Sequence, residues 1–520
     1  MAGDRIVPQK HAGRWNLGLA RNNVLPWHSS GRLSTKPAVA GDSQVADLDP
    51  KDWQEFARSG HAALDSMIEH LKSIRERGVW SPPSLNARAK FRDPLPRGAR
   101  PFSEVLADFE QSVVPYATGN LHPAFMGWVH GAGTPVGMIA EMLAAGLNMN
   151  CGGRNHIGLE VENQITRWMI EAFRFPETAS GLFVTGTSMA NFLAVIIARS
   201  AALGSQVRRA GLAGAPRLCA YASQGVHGCI ARAMEMSGLG SDYLRLVPVD
   251  AEGAMRADVL NTLIGEDKAR GLKPFLIVGT AGSVDVGAID PLMKIADIAA
   301  AHGLWFHVDG AFGALTVLSP ELRGLTQGID HADSVGFDFH KWAHVPYDAG
   351  FLLVRDAEVH RGSFAAANAY LSRAETGLAA GETWPCDLGP DLSRGCRALK
   401  VWFTLQVYGA DALGQCMLQN CRAAKHLEDR LRHSRRFAPV APAKLNIVCF
   451  SARTANPDDD NGRIVEALQL SGRAAPSLTR INGTRVIRCA IVNHRTTIAD
   501  IDCFTEDLDR VAEQLAIEPS

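Results

Sequence analysis

Between residues 180 and 355, short apolar runs alternate with longer stretches whose apolar residues recur at helical spacing. The runs are Leu182-Phe183-Val184, Leu218-Cys219-Ala220-Tyr221, Phe275-Leu276-Ile277-Val278, Leu304-Trp305-Phe306-His307-Val308, Ser334-Val335-Gly336-Phe337, and Gly350 to Val354. Most are followed by Gly, Ser, Thr or Asp. Strands apolar on both faces and separated by helices predict an α/β fold with a mainly parallel sheet. Ligands of such sheets sit beyond the carboxyl ends of the strands, so the chemistry is sought there. Upstream, Trp53, Phe56, Ala57, Ala63, Met67 and Leu71 recur at helical spacing, and Pro82, Pro83, Pro94 and Pro96 mark an extended connector. Downstream, Ala412 to Leu431 reads as a helix, Leu445–Phe450 and Thr484–Val492 as strands, and Ile498–Leu515 as a terminal helix. The expected division is a poorly ordered extension (1–45), a helical segment (46–130), a large domain (131–405) and a small C-terminal α+β domain (406–520).

Composition narrows the classes. The 520 residues are 46% hydrophobic and 21% charged, ordinary for a globular chain. Lys plus Arg (53) balances Asp plus Glu (54), which supplies no field to hold nucleic acid or an anionic membrane. No apolar run approaches the ~20 residues of a membrane helix. The ten cysteines form no CxxC pair, and read as buried thiols in a reducing, cytoplasmic compartment. The first 45 residues are basic and acid-poor, the composition of a tail or of a targeting segment.

Three strand ends carry chemistry. Thr185-Gly186-Thr187-Ser188-Met189-Ala190-Asn191 turns into an apolar helix, offering backbone N–H groups and a helix dipole to an anion. A plain N-cap at Thr187 or Ser188 is the simpler alternative. His307-Val308-Asp309-Gly310-Ala311 places a carboxylate where charge is costly unless paired. Asp338-Phe339-His340-Lys341-Trp342 places an amine at a third strand end. Together an anion cradle, a carboxylate and a lysine meet the needs of pyridoxal 5'-phosphate: a phosphate anchor, a partner for the ring nitrogen and an imine-forming amine. His227, after the run at Leu218, adds a flat ring able to stack. Metal ligation is disfavoured: His340/His344 and His122/His130 lack a convincing third ligand.

On these blocks the sequence resembles the group II pyridoxal-phosphate-dependent amino-acid decarboxylases, which include aromatic-L-amino-acid and glutamate decarboxylases. Further matching blocks are Asn120 to Phe125, Ala332-Asp333-Ser334, Val345-Pro346-Tyr347-Asp348-Ala349-Gly350 and Arg488 to Thr497. The resemblance covers nearly everything from residue 50. It implies fold type I, the aspartate-aminotransferase fold, and a homodimer whose subunits share active sites, with segment 46–130 packed on the partner. It also implies site roles. Lys341 forms the Schiff base, Asp309 pairs with the ring nitrogen, and His227 and Ala311 flank the ring. Thr187, Ser188, Met189 (through its backbone) and Asn191 hold the phosphate. Thr280 lies near the ring hydroxyl, His340 touches phosphate or substrate, and Asp338 stands puzzlingly close to the phosphate. The implied reaction is decarboxylation of an L-amino acid to an amine.

Two departures qualify this. Relatives carry a proton-donating Tyr on a loop, but no Tyr lies between Leu371 and Arg394, and Tyr370 is the nearest. Release of an aldehyde by oxidative deamination therefore stays open beside amine formation. A carbon–carbon lyase of the same fold and a non-catalytic cofactor-binding scaffold are the remaining alternatives. The expected substrate wall, Trp128, His130, Asn150 and Arg154, is also unusually polar. Arg154 either binds a side-chain carboxylate or pairs with Glu160 or Glu162, whereas Trp128 suits an aromatic substrate.

Overall fold

The computed structural model describes residues 48–366, 373–381 and 383–518. The basic extension and Tyr370 lie outside them. Two compact units are defined, Met1–Trp53 and Gln54–Ser520, and everything below belongs to the second.

Seven strands form the main sheet: β1 (Ser180–Val184), β2 (Leu218–Ser223), β3 (Leu244–Val247), β4 (Lys273–Thr280), β5 (Trp305–Asp309), β6 (Ser334–Asp338) and β7 (Gly350–Val354). Their order is β1-β7-β6-β5-β4-β2-β3. Strands β2 to β6 pair in parallel, and β7 runs antiparallel to β6 and β1. The sheet is thus mainly parallel, and its strands read as continuous apolar runs because helices cover both faces. Only β3 was not expected. It is a four-residue edge strand with just Leu244 and Val247 buried, too short and too polar to register as an apolar run.

Register aligns the chemistry. Thr280 pairs with Asp309, Asp309 with Gly336, and Asp338 with Gly350, which also faces Val184. The ends of β1, β4, β5 and β6 therefore lie side by side. A Cβ on Gly350 would come within 2.4 Å of the Gly186 Cα, so position 350 needs glycine for β7 to pass beneath the loop leaving β1.

Strands β8 (Phe437–Pro439), β9 (Ile447–Ala452), β10 (Ser477–Ile481) and β11 (Thr484–Ala490) form a separate antiparallel sheet in the order β10-β11-β9-β8. With the helices Ala410–Arg432, Pro457–Leu470 and Ile498–Gln514 it encloses its own core, including Leu427, Phe450, Ile464, Ile487 and Phe504. The Phe125–Met126 segment is sewn to this sheet: Met126 N–H donates to the Ala475 carbonyl (3.0 Å) and Ala490 N–H to the Met126 carbonyl (2.8 Å). The strand-end cleft thus has one wall tied to the smaller sheet.

A buried ion pair fastens the segment before the helix Arg397–Tyr408. Arg394 donates twice to Glu162, at 2.9 and 2.5 Å, with both side chains under a tenth exposed. Removing one partner strands the other charge in the interior, at a cost of about 3–5 kcal/mol. Arg394→Ala is expected to lower unfolding stability by about that amount. The pairwise change Arg394→Met with Glu162→Gln is expected to recover most of it in denaturant titrations.

Candidate active site

The strand ends open on a cleft of about 470 Å³. At its anion end the helix Thr187–Leu203 begins with Gly186 as N-cap and no side-chain cap. This removes the plain N-cap alternative. The Thr187 N–H instead donates to Asp338 Oδ1 (2.7 Å). Lys341 Nζ lies 3.1 Å from Asp338 Oδ2, and His340 Nε2 lies 3.6 Å from it. Asp338 is buried, and a helix N-terminus plus an ammonium make its charge tolerable there. The carboxylate that looked misplaced in the sequence thus positions the lysine. Thr187, Ser188 and Met189 all line the cleft, but the Met189 N–H donates to the Gly186 carbonyl (2.9 Å). Met189 is corrected as a backbone anchor: Ser188 and the Thr187 hydroxyl, buried with no partner, remain to meet a phosphate. His340 Nδ1 accepts from the Ala349 N–H (3.0 Å), so its proton sits on Nε2, and burial holds it below the ordinary histidine pKa.

The other end is organised around Asp309, 4% exposed. Its Oδ2 accepts from Asn191 Nδ2 (3.0 Å) and its Oδ1 from the Ala311 N–H (3.3 Å). Asn191 Oδ1 is bonded to His307 Nε2 (2.8 Å), whose Nδ1 meets Ser334 Oγ (2.8 Å), which accepts from Trp305 Nε1 (2.9 Å). Only one set of proton positions satisfies this chain. The indole donates to the hydroxyl, the hydroxyl to Nδ1, Nε2–H to the amide oxygen, and the amide to the carboxylate. Every donor points towards Asp309. Burial still pushes its pKa up, against the pull of Lys341 and His227. It is a carboxylate supplied with donors but lacking an adjacent cation, which a protonated ring nitrogen would provide. Asn191 is therefore corrected from a phosphate ligand to the support of Asp309. Its amide is fully committed beneath the cleft and does not line it.

Of the other expected residues, His227, Thr280, Ala311, Trp128 and His130 line the cleft. The Thr280 hydroxyl is buried without a partner, and His227 Nδ1 accepts from the Cys229 N–H (3.3 Å). Trp128 holds a left-handed backbone (φ 51), pinned by Arg488 on its carbonyl (3.0 Å) and Ser477 on its N–H (3.3 Å). Two expected wall residues are elsewhere. Asn150 Oδ1 accepts from the N–H groups of Gly152 and Arg394, and Arg154 lies 4.7 Å from the Trp384 ring centroid. Neither lines this cleft, and Glu162 pairs with Arg394 and not with Arg154. Sequence reasoning missed Tyr347 and Cys229 as lining residues. Tyr347 follows Lys341 by six residues inside a recognised block, so its position was a usable signal. Among the described residues no group of three or more His, Cys, Asp or Glu is placed for a metal.

An amine for covalent attachment, a carboxylate awaiting a cation, orphaned hydroxyls at an anion end and an exposed imidazole fit pyridoxal phosphate. Fold and cleft define a fold type I, aspartate-aminotransferase-like enzyme using that cofactor. Residues 85–453 match the model of the pyridoxal-dependent decarboxylase conserved domain, and the chain belongs to that family. It is 30% identical over 477 residues to an aromatic-L-amino-acid decarboxylase of Bacillus atrophaeus, covering 89% of this chain and 97% of that one. A phenylacetaldehyde synthase of Arabidopsis thaliana is 26% identical, covering 85% and 93%. Among solved structures, Oryza sativa TDC with PLP and tryptamine superposes with a TM-score of 0.82 at 25% identity, covering 90% of this chain and all of that one. The chain is a pyridoxal-phosphate-dependent amino-acid decarboxylase, which displaces the lyase and scaffold readings.

The corrected role of Asn191 has a discriminating consequence. Asn191→Ala is expected to weaken pyridoxal phosphate and unphosphorylated pyridoxal alike, by about tenfold, the worth of one charge-assisted hydrogen bond. Loss of selectivity for the phosphorylated form would restore the phosphate-ligand role. A second expectation concerns acid. Complete burial holds His307 to about 3, and burial holds His360 to about 4. The unfolded chain protonates these groups near 6.5 while the folded chain does not, so stability falls as pH drops below about 6.5, by about 1.4 kcal/mol per unit per group. His307→Gln is expected to flatten that slope by about one proton in unfolding titrations between pH 7 and 5.

Proposed function

We propose that the chain decarboxylates an L-amino acid with an aromatic side chain, releasing carbon dioxide and the amine. The observation that carries this is the makeup of the wall. Trp128, His130 and Tyr347 cluster, with His130 5.4 Å from the Trp128 ring and 6.2 Å from that of Tyr347. Among the described lining residues no arginine is present and Lys341 is the one ammonium, so a side-chain carboxylate would lack a partner. Arg154, the residue that favoured an acidic substrate, lies off this cleft. The names of the relatives point the same way.

Bound here, pyridoxal phosphate would supply an electron sink for the pair left when carbon dioxide departs. Lys341 is the amine that would hold it covalently. Asp309, fed by the Asn191 donor, would keep a proton on the ring nitrogen. Ser188 and Thr187 would hold the phosphate, Asp338 keeps Lys341 in place, and His227 and Ala311 would confine the ring. The aldehyde alternative keeps one support. The described part of segment 371–394 contains no tyrosine and contributes nothing to this cleft.

The working form is a homodimer in this reading. Met142, Leu143, Leu147 and Ile157 stand 42–72% exposed along one stretch, an apolar surface suited to a second copy. The ten free cysteines support a reducing, cytoplasmic setting.

The test loads the protein with cofactor and assays amino acids for carbon dioxide, amine, aldehyde and peroxide together. Carbon dioxide with equimolar amine from an aromatic amino acid is expected. Preference for glutamate or aspartate would overturn the substrate class, and aldehyde with peroxide would replace the product. Leu143→Asp with Leu147→Asp is expected to shift the mass in light scattering from two chains to one and to reduce turnover.

A further inference from the structure

Loss of carbon dioxide leaves an electron pair on the substrate carbon, and an amine forms only when a proton reaches that carbon. Several proton-bearing groups of the cleft are engaged elsewhere. Lys341 is held by Asp338, and Asp309 accepts from Asn191. His340 and His227 each use Nδ1 to accept a backbone N–H, which leaves the proton on Nε2; His340 Nε2 lies 3.6 Å from Asp338. His130 differs. It lines the cleft, yet its imidazole makes no hydrogen bond to any described residue. Rings alone hold it: Phe125 at 5.7 Å and 13°, Trp128 at 5.4 Å and 24°, and Tyr347 edge-on at 6.2 Å and 82°. Burial and the charge of Lys341 keep it below the ordinary histidine pKa, which also places it within electrostatic reach of the reacting lysine.

We propose that His130 delivers the proton to the carbon that has lost its carboxyl group. This rests on the decarboxylase reading. The step balances without a further reagent. The carbon–carboxyl bond breaks, carbon dioxide leaves, and the bonding pair stays with the carbon. The N–H bond of the His130 imidazolium then breaks as the C–H bond forms. Solvent returns one proton to the imidazole per turnover, the proton that decarboxylation consumes. A substrate carboxylate arriving beside the ring favours proton uptake by the imidazole before carbon dioxide leaves. The aromatic frame fixes the ring's place without tying up either nitrogen.

The test compares holoenzyme, His130→Gln and Tyr347→Phe with an aromatic amino acid that the wild type decarboxylates. Three readouts are taken: the absorbance and affinity of the bound cofactor, carbon dioxide in the first turnover, and amine in the steady state. In His130→Gln the first two are expected to stay within about threefold while amine formation falls at least tenfold, the lower range for loss of a general acid. His130→Asn repeats the test with a second replacement, and imidazole in the buffer is expected to restore part of the amine yield to His130→Ala. Amine formation within threefold of wild type would overturn the proposal. So would first-turnover carbon dioxide falling in parallel with amine, or the loss appearing in Tyr347→Phe alone. Absence of carbon dioxide from wild type on every amino acid would instead overturn the decarboxylase reading itself.

Discussion

A carboxylate buried at the end of a central strand is the constraint around which this molecule is arranged. Asp309 is costly where it lies, and four side chains from three elements act to keep it an acceptor. Trp305 and His307 on its own strand, Ser334 on β6 and Asn191 on the helix after β1 form a single-direction run of donors ending on its Oδ2. The run does not neutralise the charge; it orients it and leaves the cation to be supplied by the ligand. The reverse protonation of His307 would present a lone pair to the Asn191 oxygen and flip the amide away from Asp309. Full burial of His307 therefore serves the site as well as the core.

The second aspartate solves a different problem. Asp338 is equally buried, but it faces the first N–H of a helix and the Lys341 ammonium, so its charge is met from within the chain. The two carboxylates divide the site into an end that waits for a cation and an end that receives an anion. Lys341 lies between them, on a turn pressed so closely against Gly131 that a Cβ there would sit 2.0 Å from the His340 carbonyl. The segment carrying Gly131 also carries Trp128 and His130, and it is bonded to the smaller sheet. Substrate-facing and cofactor-facing groups thus answer to separate parts of the fold that meet at one glycine.

Much of this was legible in the residues themselves. Apolar run length and the polar residue closing each run located six of the seven strands of the main sheet. They also put Lys341, Asp309 and the turn at Gly186 at strand ends, because a buried parallel strand must be apolar until it reaches the cleft. Asn191 was misjudged because spacing places it on the first turn of a helix but does not say which way its amide faces. Met189 failed because a helix start consumes some of its own donors. Asn150 and Arg154 failed because a polar loop near a site in sequence is not thereby near it in space.

The sequence by itself determined the sheet class, the family and the chemistry-bearing residues at the strand ends, since those follow from local pattern and from motif. Which groups support, which touch and which are absent was decided only by the tertiary structure. Register set Thr280, Asp309 and Asp338 side by side, and packing spent the Asn191 amide on Asp309. Contacts between distant segments brought Tyr347 and the Trp128–His130 wall to the cleft while leaving Arg154 against Trp384. Such outcomes depend on long-range geometry, which fixes the direction of a side chain as well as its place in the chain.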